Sequence, residues 1–165
     1  ADGLGGGNDK KSKIEKMRDS KIGSYGVLAI LLITLIKWNA IITLATGKPY
    51  EIAILSIICA HSLSRFSIIV IPYFSIPASD EGLARYAGEP ETRGVIGGFL
   101  LTSFLIFLLL PFDQAILSAV LAILVAGVVG LLANFQIKGY TGDILGAAQQ
   151  VSEATVLVYL ASSSS

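Results

Sequence analysis

Apolar residues fall along this chain in five long blocks separated by short polar stretches. A helix that crosses a bilayer needs about 20 mostly apolar residues. Between Arg93 and Asp113 stand 19 uncharged residues, and between Asp113 and Lys138 stand 24. Two segments, 94–112 and 115–137, therefore satisfy the length requirement without interruption. Three others carry ionisable residues: 24–46 holds Lys37, 52–73 holds His61 and Arg65, and 142–161 holds Asp143 and Glu153. The pattern predicts an all-α, polytopic transmembrane helix bundle of five helices, one membrane domain over 1–165. A polar segment, 1–23, precedes the bundle, and 74–93 forms its long polar loop. The first 25 residues contain no apolar stretch of the kind a signal peptide needs.

Composition agrees. Hydrophobic residues make up 53% of the chain and charged residues 15%, against about 25% charged in soluble domains. A soluble globule of 165 residues needs more polar surface than that, and a disordered chain needs far less apolar content. The 12 basic and 12 acidic residues cancel, which argues against a nucleic-acid partner. A single cysteine, Cys59, excludes a disulfide framework and a cysteine-based zinc site.

The neutral total conceals an asymmetry. Residues 1–21 hold ten of the 24 charges, and 80–93 hold six more: Asp80, Glu81, Arg85, Glu89, Glu91 and Arg93. Basic residues mark the cytoplasmic side of a membrane protein. The six Lys/Arg of 1–23 therefore place that segment in the cytoplasm. Alternating the spans then puts 74–93 and Lys138 on the same side, and the turns near Lys48 and Pro111 outside. Most polar groups thus collect at one membrane face, which predicts a site at that surface of a multi-pass cell-membrane protein.

Three segments carry candidate chemistry. The first is Asp2-Gly3-Leu4-Gly5-Gly6-Gly7-Asn8-Asp9. Gly5, Gly6 and Gly7 permit positive φ and close approach to a phosphate, and a flexible linker is the plain alternative. A short basic helix follows, with Ser12 and Glu15 spaced as a capping box. Its cations suit either anionic lipid at the bilayer surface or the phosphates of a substrate; Lys10, Lys13, Arg18 and Lys21 are the candidates. The second segment is His61-Ser-Leu-Ser-Arg65, whose spacing puts both ionisable groups on one helix face. Arg65 could clamp a phosphate, whereas a hydrogen-bonded structural role suits His61 better. The third is the run from Lys138 to Glu153. Asp143 there either complements a helix dipole or, beside the small residues Gly142, Gly146 and Ala147, lines a metal or diphosphate pocket. Lys37 is expected to snorkel to the interface, and Trp38 and Cys59 to pack.

These motifs, in this order, resemble the cobalamin synthase family (adenosylcobinamide-GDP ribazoletransferase). The opening ADGLGGGNDKKSKIEKMRDSKIGSYGVLA is similar to the family's glycine-rich loop and following helix, and GYTGDILGAAQQVSE to its last motif. Arg65 and the Pro72/Pro77-to-Gly82 stretch match its middle region in character. The resemblance implies an integral-membrane transferase that joins α-ribazole, or its 5′-phosphate, to adenosylcobinamide-GDP and releases GMP. It also implies a divalent metal, Mg2+ or Mn2+. Metal ligands would come from Asp2, Asp9 and Asp143, with Asp2 and Asp143 catalytic. Gly5, Gly6, Gly7, Lys10, Arg18, Lys21 and Arg65 would bind substrate. Homo-oligomerisation is left open. Family members carry an acidic Asp-Gly-x-x-Asp motif that this chain enters at Asp2-Gly3, so the resemblance implies part of a longer enzyme, inactive by itself. The main rival is a small polytopic transporter or channel subunit, which predicts ionisable groups at mid-membrane and broken helices. A CDP-alcohol phosphotransferase would need an Ala-Arg pair and further aspartates after Asp2-Gly3, and these are missing. A purely structural bundle would have no use for either terminal motif.

Overall fold

Proline and glycine set the helix limits. The computed structural model describes residues 1–19, 21–79 and 90–163. Among them are seven helices: α1 Asp2–Gly6, α2 Lys10–Arg18, α3 Ser24–Gly47, α4 Tyr50–Phe74, α5 Thr92–Leu109, α6 Phe112–Ile137 and α7 Gly142–Ser162. Five of them, α3 to α7, are long and apolar enough to cross a membrane. Pro49 and Pro111 sit at the N-caps of α4 and α6 with φ of −52° and −53°, preset for a helix start that needs no N–H there. Pro111 also explains why α5 stops at Leu109 and α6 starts at Phe112, each a few residues earlier than expected. At the end of α6, Lys138 adopts the left-handed conformation and Gly139 follows.

The last helix is the hub. α7 packs against α3, α4 and α6, whereas α5 leans mainly on α4. Half of the most apolar window of α7 is buried, against 11% for α3 and 6% for α5. One core cluster joins Ala40 and Leu44 of α3 to Cys59 and Leu63 of α4 and Val156, Leu157 and Leu160 of α7. Alanines at Ala115 and Ala122 let α6 approach closely. Trp38 does not pack; it is exposed on the outer face of α3.

A second cluster closes one end of the bundle. Ile71, Ala133, Ile137, Tyr140, Ile144 and Ala148 enclose the α6–α7 corner, and Leu4, Ile14 and Met17 of the N-terminal segment pack against it. The apolar face of α2 thus meets protein. Residues 76–78 run beside this corner as a parallel β-bridge between Pro77 and Tyr140. Ala78 donates its N–H to the Tyr140 carbonyl at 2.8 Å, and Tyr140 donates to that of Ile76 at 3.0 Å. Gly139 makes that approach possible. A Cβ there would lie 2.9 Å from both Ala78 N and Ala78 Cα, and φ is +157°. Gly139→Ala is therefore expected to destabilise the fold by about 2–3 kcal/mol, read from detergent-driven unfolding. A loss below about 0.5 kcal/mol would show that the bridge yields without cost.

The glycine-rich opening differs from expectation. Residues 2–6 form a helical turn in place of a loop, and none of Gly5, Gly6 and Gly7 has positive φ. The missing side chains make room for this chain itself. A Cβ on Gly5 would touch the Tyr25 ring at 3.4 Å, one on Gly6 the Lys16 ammonium at 2.8 Å, and one on Gly7 the Lys13 backbone N at 2.9 Å. The cap of α2 also lies a turn earlier than the Ser12–Glu15 spacing predicts. Asp9 is the N-cap and Ser12 is its partner, each side chain bonding the other's backbone N–H.

Candidate active site

The polar end of the bundle gathers both terminal motifs. Asp2 accepts a hydrogen bond from Gly23 N–H at 2.9 Å, so its carboxylate sits on the N-terminus of α3, where the helix dipole favours negative charge. Gly26 lies against the same carboxylate. The neighbouring Gly3 is buried under Met17, and Met17 Sδ is 3.5 Å from Thr141 Oγ1. Thr141 caps α7 through Ile144 N–H, and Asp143 stands exposed in that first turn. The order Asp2, Gly3, Met17, Thr141, Asp143 therefore runs across one corner.

Most α2 cations tie the helix down. Lys13 donates to Gln136 Oε1 at 2.5 Å, Lys16 to the Gly6 carbonyl, and Arg18 to Ser79 Oγ at 2.5 Å. Arg18, a candidate for substrate phosphate, is thus engaged with the segment that bridges Tyr140. Lys10 and Lys21 are exposed, and their ammonium groups have no partner among the described residues. Asp9 faces its own helix. The Ser12 hydroxyl and then the Ser12 N–H hold its carboxyl below the ordinary value of 3.8. A carboxyl lowered on folding stabilises above its unfolded value and loses that effect as pH falls through the folded one. Acidification from pH 5 to below 3.8 is therefore expected to fray α2 in the wild type, seen as lost helical 13Cα shifts at Lys10–Lys13. The Asp9→Asn variant should show no such acid step, and an identical step in both would remove Asp9 as its source.

The three carboxylates proposed as metal ligands do not make a centre by themselves. Asp2 is on Gly23, Asp9 is on Ser12, and Asp143 is exposed. Among the described residues no three His, Cys, Asp or Glu side chains converge as a metal site would require. Asp80, Glu81, Arg85, Glu89 and the stretch around Gly82 lie outside the described residues.

A second polar group lies inside the bundle. Glu153 of α7 takes Lys37 of α3 at 2.7 Å and His61 Nδ1 of α4 at 3.3 Å. Gln149 donates to the other Glu153 oxygen at 2.7 Å and to Ser64 Oγ at 3.3 Å. Lys37 also donates to Gln150 Oε1 at 2.7 Å, and Gln150 donates to Gln149 Oε1 at 2.7 Å. Lys37 does not snorkel. Its partner is level with it, near the middle of both helices, so pairing replaces the long reach to the interface. His61 meets that carboxylate only through Nδ1, and more than half of its side chain is exposed. Arg65, one turn nearer the polar end, is exposed and stands apart from the cations of the polar end.

The model of the family described as cobalamin-5-phosphate synthase matches residues 1–161. This chain belongs to that family. Relatives in the cobalamin-5-phosphate synthase family include a protein of Bradyrhizobium diazoefficiens, named adenosylcobinamide-GDP ribazoletransferase, that is 37% identical over 98% of this chain and 61% of its own length. Proteins of the same name from Mesorhizobium japonicum and Shewanella pealeana are 38% and 39% identical over 96% and 97% of the chain. The chain spans about three fifths of the length of these relatives, 60–62%. No solved structure matches it. The transporter alternative loses its support here. Ionisable groups do sit mid-helix, yet the five spans are continuous and the family is one of synthases.

Sequence reasoning missed the Lys13–Gln136 contact and the network around Glu153. The second had a signal: Gln149, Gln150 and Glu153 lie within one membrane-length segment and Lys37 within another. Ionisable groups in such segments need partners, and these were the available ones.

Proposed function

We propose that the protein containing this chain is an adenosylcobinamide-GDP ribazoletransferase whose reaction takes place at the polar end of the bundle, facing the cytoplasm. A ribose hydroxyl of α-ribazole, or of its 5′-phosphate, attacks the phosphorus next to the cobinamide. The new P–O bond forms as the bond to GMP breaks, and the hydroxyl proton passes to a carboxylate. Asp143 suits that role because it is exposed, held in the first turn of a capped helix, and has no side-chain partner among the described residues. The free ammonium groups of Lys10 and Lys21 can neutralise diphosphate oxygens. Arg18, bound to Ser79, and the glycine turn at Gly5–Gly7 act by shaping the corner. Divalent-metal dependence belongs to the proposal as an expectation from the family. The described carboxylates do not complete a centre, so no step is drawn through an ion.

The observation that carries this reading is the joining of the two terminal motifs at one corner, through Gly3, Met17 and Thr141. The six basic residues of 1–23 support the cytoplasmic assignment of that corner. The experiment is to incubate the full-length protein in liposomes with adenosylcobinamide-GDP and α-ribazole 5′-phosphate. GMP and a phosphodiester-linked cobamide should appear in equal amounts. GMP released without cobamide, or neither product, would overturn the proposal.

A further inference from the structure

Hydroxyl and amide groups gather where α4 ends, at the mouth of a furrow along the α4–α6 seam. The mouth is a cavity of about 650 Å³ whose polar lining comes from Tyr73, Ser75, Thr92 and Asn134. It shares Phe74, Ser75 and Asn134 with a second cavity of about 320 Å³, which follows the two helices inward. Both volumes lie in the range of small-molecule pockets, about 300–1,000 Å³. The inner lining is apolar, with Val70 and Ile71 from α4 and Ile123, Ala126, Gly127 and Leu131 from α6. Past Val70, Ile123 and Ala126 only about 30 Å³ remains, beside Phe66 and Phe99, whose ring centroids are 6.0 Å apart.

Missing side chains open the furrow. A Cβ on Gly127 would meet no atom within 4 Å, and one on Gly130 would meet only Ile71, at 3.6 Å. Ile123, Gly127 and Leu131 stand a turn apart on one face of α6, and all three are exposed. α5 leans on α4 and meets α6 only sparsely, so that side stays uncovered and faces the bilayer. The Ser75 hydroxyl and the Asn134 amide make no hydrogen bond among the described residues. No charged side chain among them lines either cavity.

We propose that this furrow binds one phospholipid, with an acyl chain along the seam and its ester and phosphate oxygens at Ser75 and Asn134. The length fits. Ile123 and Asn134 are eleven residues apart, about 16 Å of helix, which is about half the 30 Å hydrocarbon core and so the depth of one leaflet. The width fits as well. α4 and α6 are in contact, and a further helix, about 10 Å across, could not enter the seam between them. An acyl chain can, and its polar end then meets hydroxyl and amide groups that lack partners. The uncharged lining accepts zwitterionic and anionic headgroups alike. None of this depends on the transferase reading.

The test reconstitutes the full-length protein in phosphatidylcholine, extracts it in dodecylmaltoside and counts bound phospholipid by native mass spectrometry. The wild type should retain one molecule per chain. Gly127→Leu, which fills the furrow, should lower the retained fraction about tenfold. Gly97→Leu is the control. Gly97 of α5 also has open space beside it but lines neither cavity, so retention should match the wild type. With alanine methyl groups labelled, acyl-chain protons should show NOEs to the Ala126 methyl. No lipid on the wild type overturns the site and assigns the seam to a second copy or to another part of the longer protein. Equal losses in Gly97→Leu and Gly127→Leu would mean loosely held bulk lipid and overturn it too, as would unchanged retention in Gly127→Leu. If Gly127→Leu does not fold, unchanged retention in Asn134→Leu, which removes the partner at the mouth, overturns it equally.

Discussion

Glu153→Ala is expected to destabilise the bundle by about 2–4 kcal/mol, because it leaves a largely covered lysine without its counter-charge. The side chains of Glu153 and Lys37 are 6% and 17% exposed, so water can do little to compensate. The loss reaches three helices, since the same carboxylate also holds His61 and Gln149. Unfolding in mixed dodecylmaltoside and SDS micelles, followed by circular dichroism, measures it. The neutral pair Lys37→Met with Glu153→Gln should recover most of the loss, because the penalty comes from the orphaned charge more than from the missing bond. A single-variant loss under about 1 kcal/mol would mean that Lys37 finds another anion or reaches the interface after all.

Asp143→Ala should lower the rate of GMP release by about 10²–10⁴-fold in the full-length protein, the range over which a positioned acid or base contributes. The structural cost should be small. Asp143 is exposed, and its favourable effect on the α7 dipole is worth about 0.3–1 kcal/mol. Loss of activity with stability nearly intact therefore separates a chemical role from helix capping. Asp143→Asn sharpens the test, because it keeps a polar side chain at that position but cannot take a proton. Activity within threefold of wild type in both variants would remove Asp143 from the reaction and leave it as a helix-terminal charge.

The two predictions differ in how far the sequence anticipates them. Asp143 stands out because a carboxylate follows a glycine turn at the head of an apolar segment. Glu153 is harder to see. Its distance in sequence from Lys37 is large, and only the packing of α3 on α7 makes them partners. The same holds for Lys13 with Gln136 and for Met17 with Thr141. The glycine run shows the opposite error. Its composition suggested a loop open to a ligand, whereas the structure fills the space beside each glycine with this chain's own Tyr25, Lys16 and Lys13.

By itself the sequence determined what depends on local chemistry. Uninterrupted apolar length requires membrane-length helices, proline positions set where α4 and α6 begin, and the basic excess of 1–23 marks one end. The tertiary structure alone decided which polar groups meet. Lys37 pairs instead of snorkelling, Arg18 ties down a loop, and the glycines serve helix packing, because each outcome turns on the side chain that another helix presents at the same level. Ionisable groups in a low-dielectric setting take the nearest compensating charge, and that distance exists only once the helices are assembled.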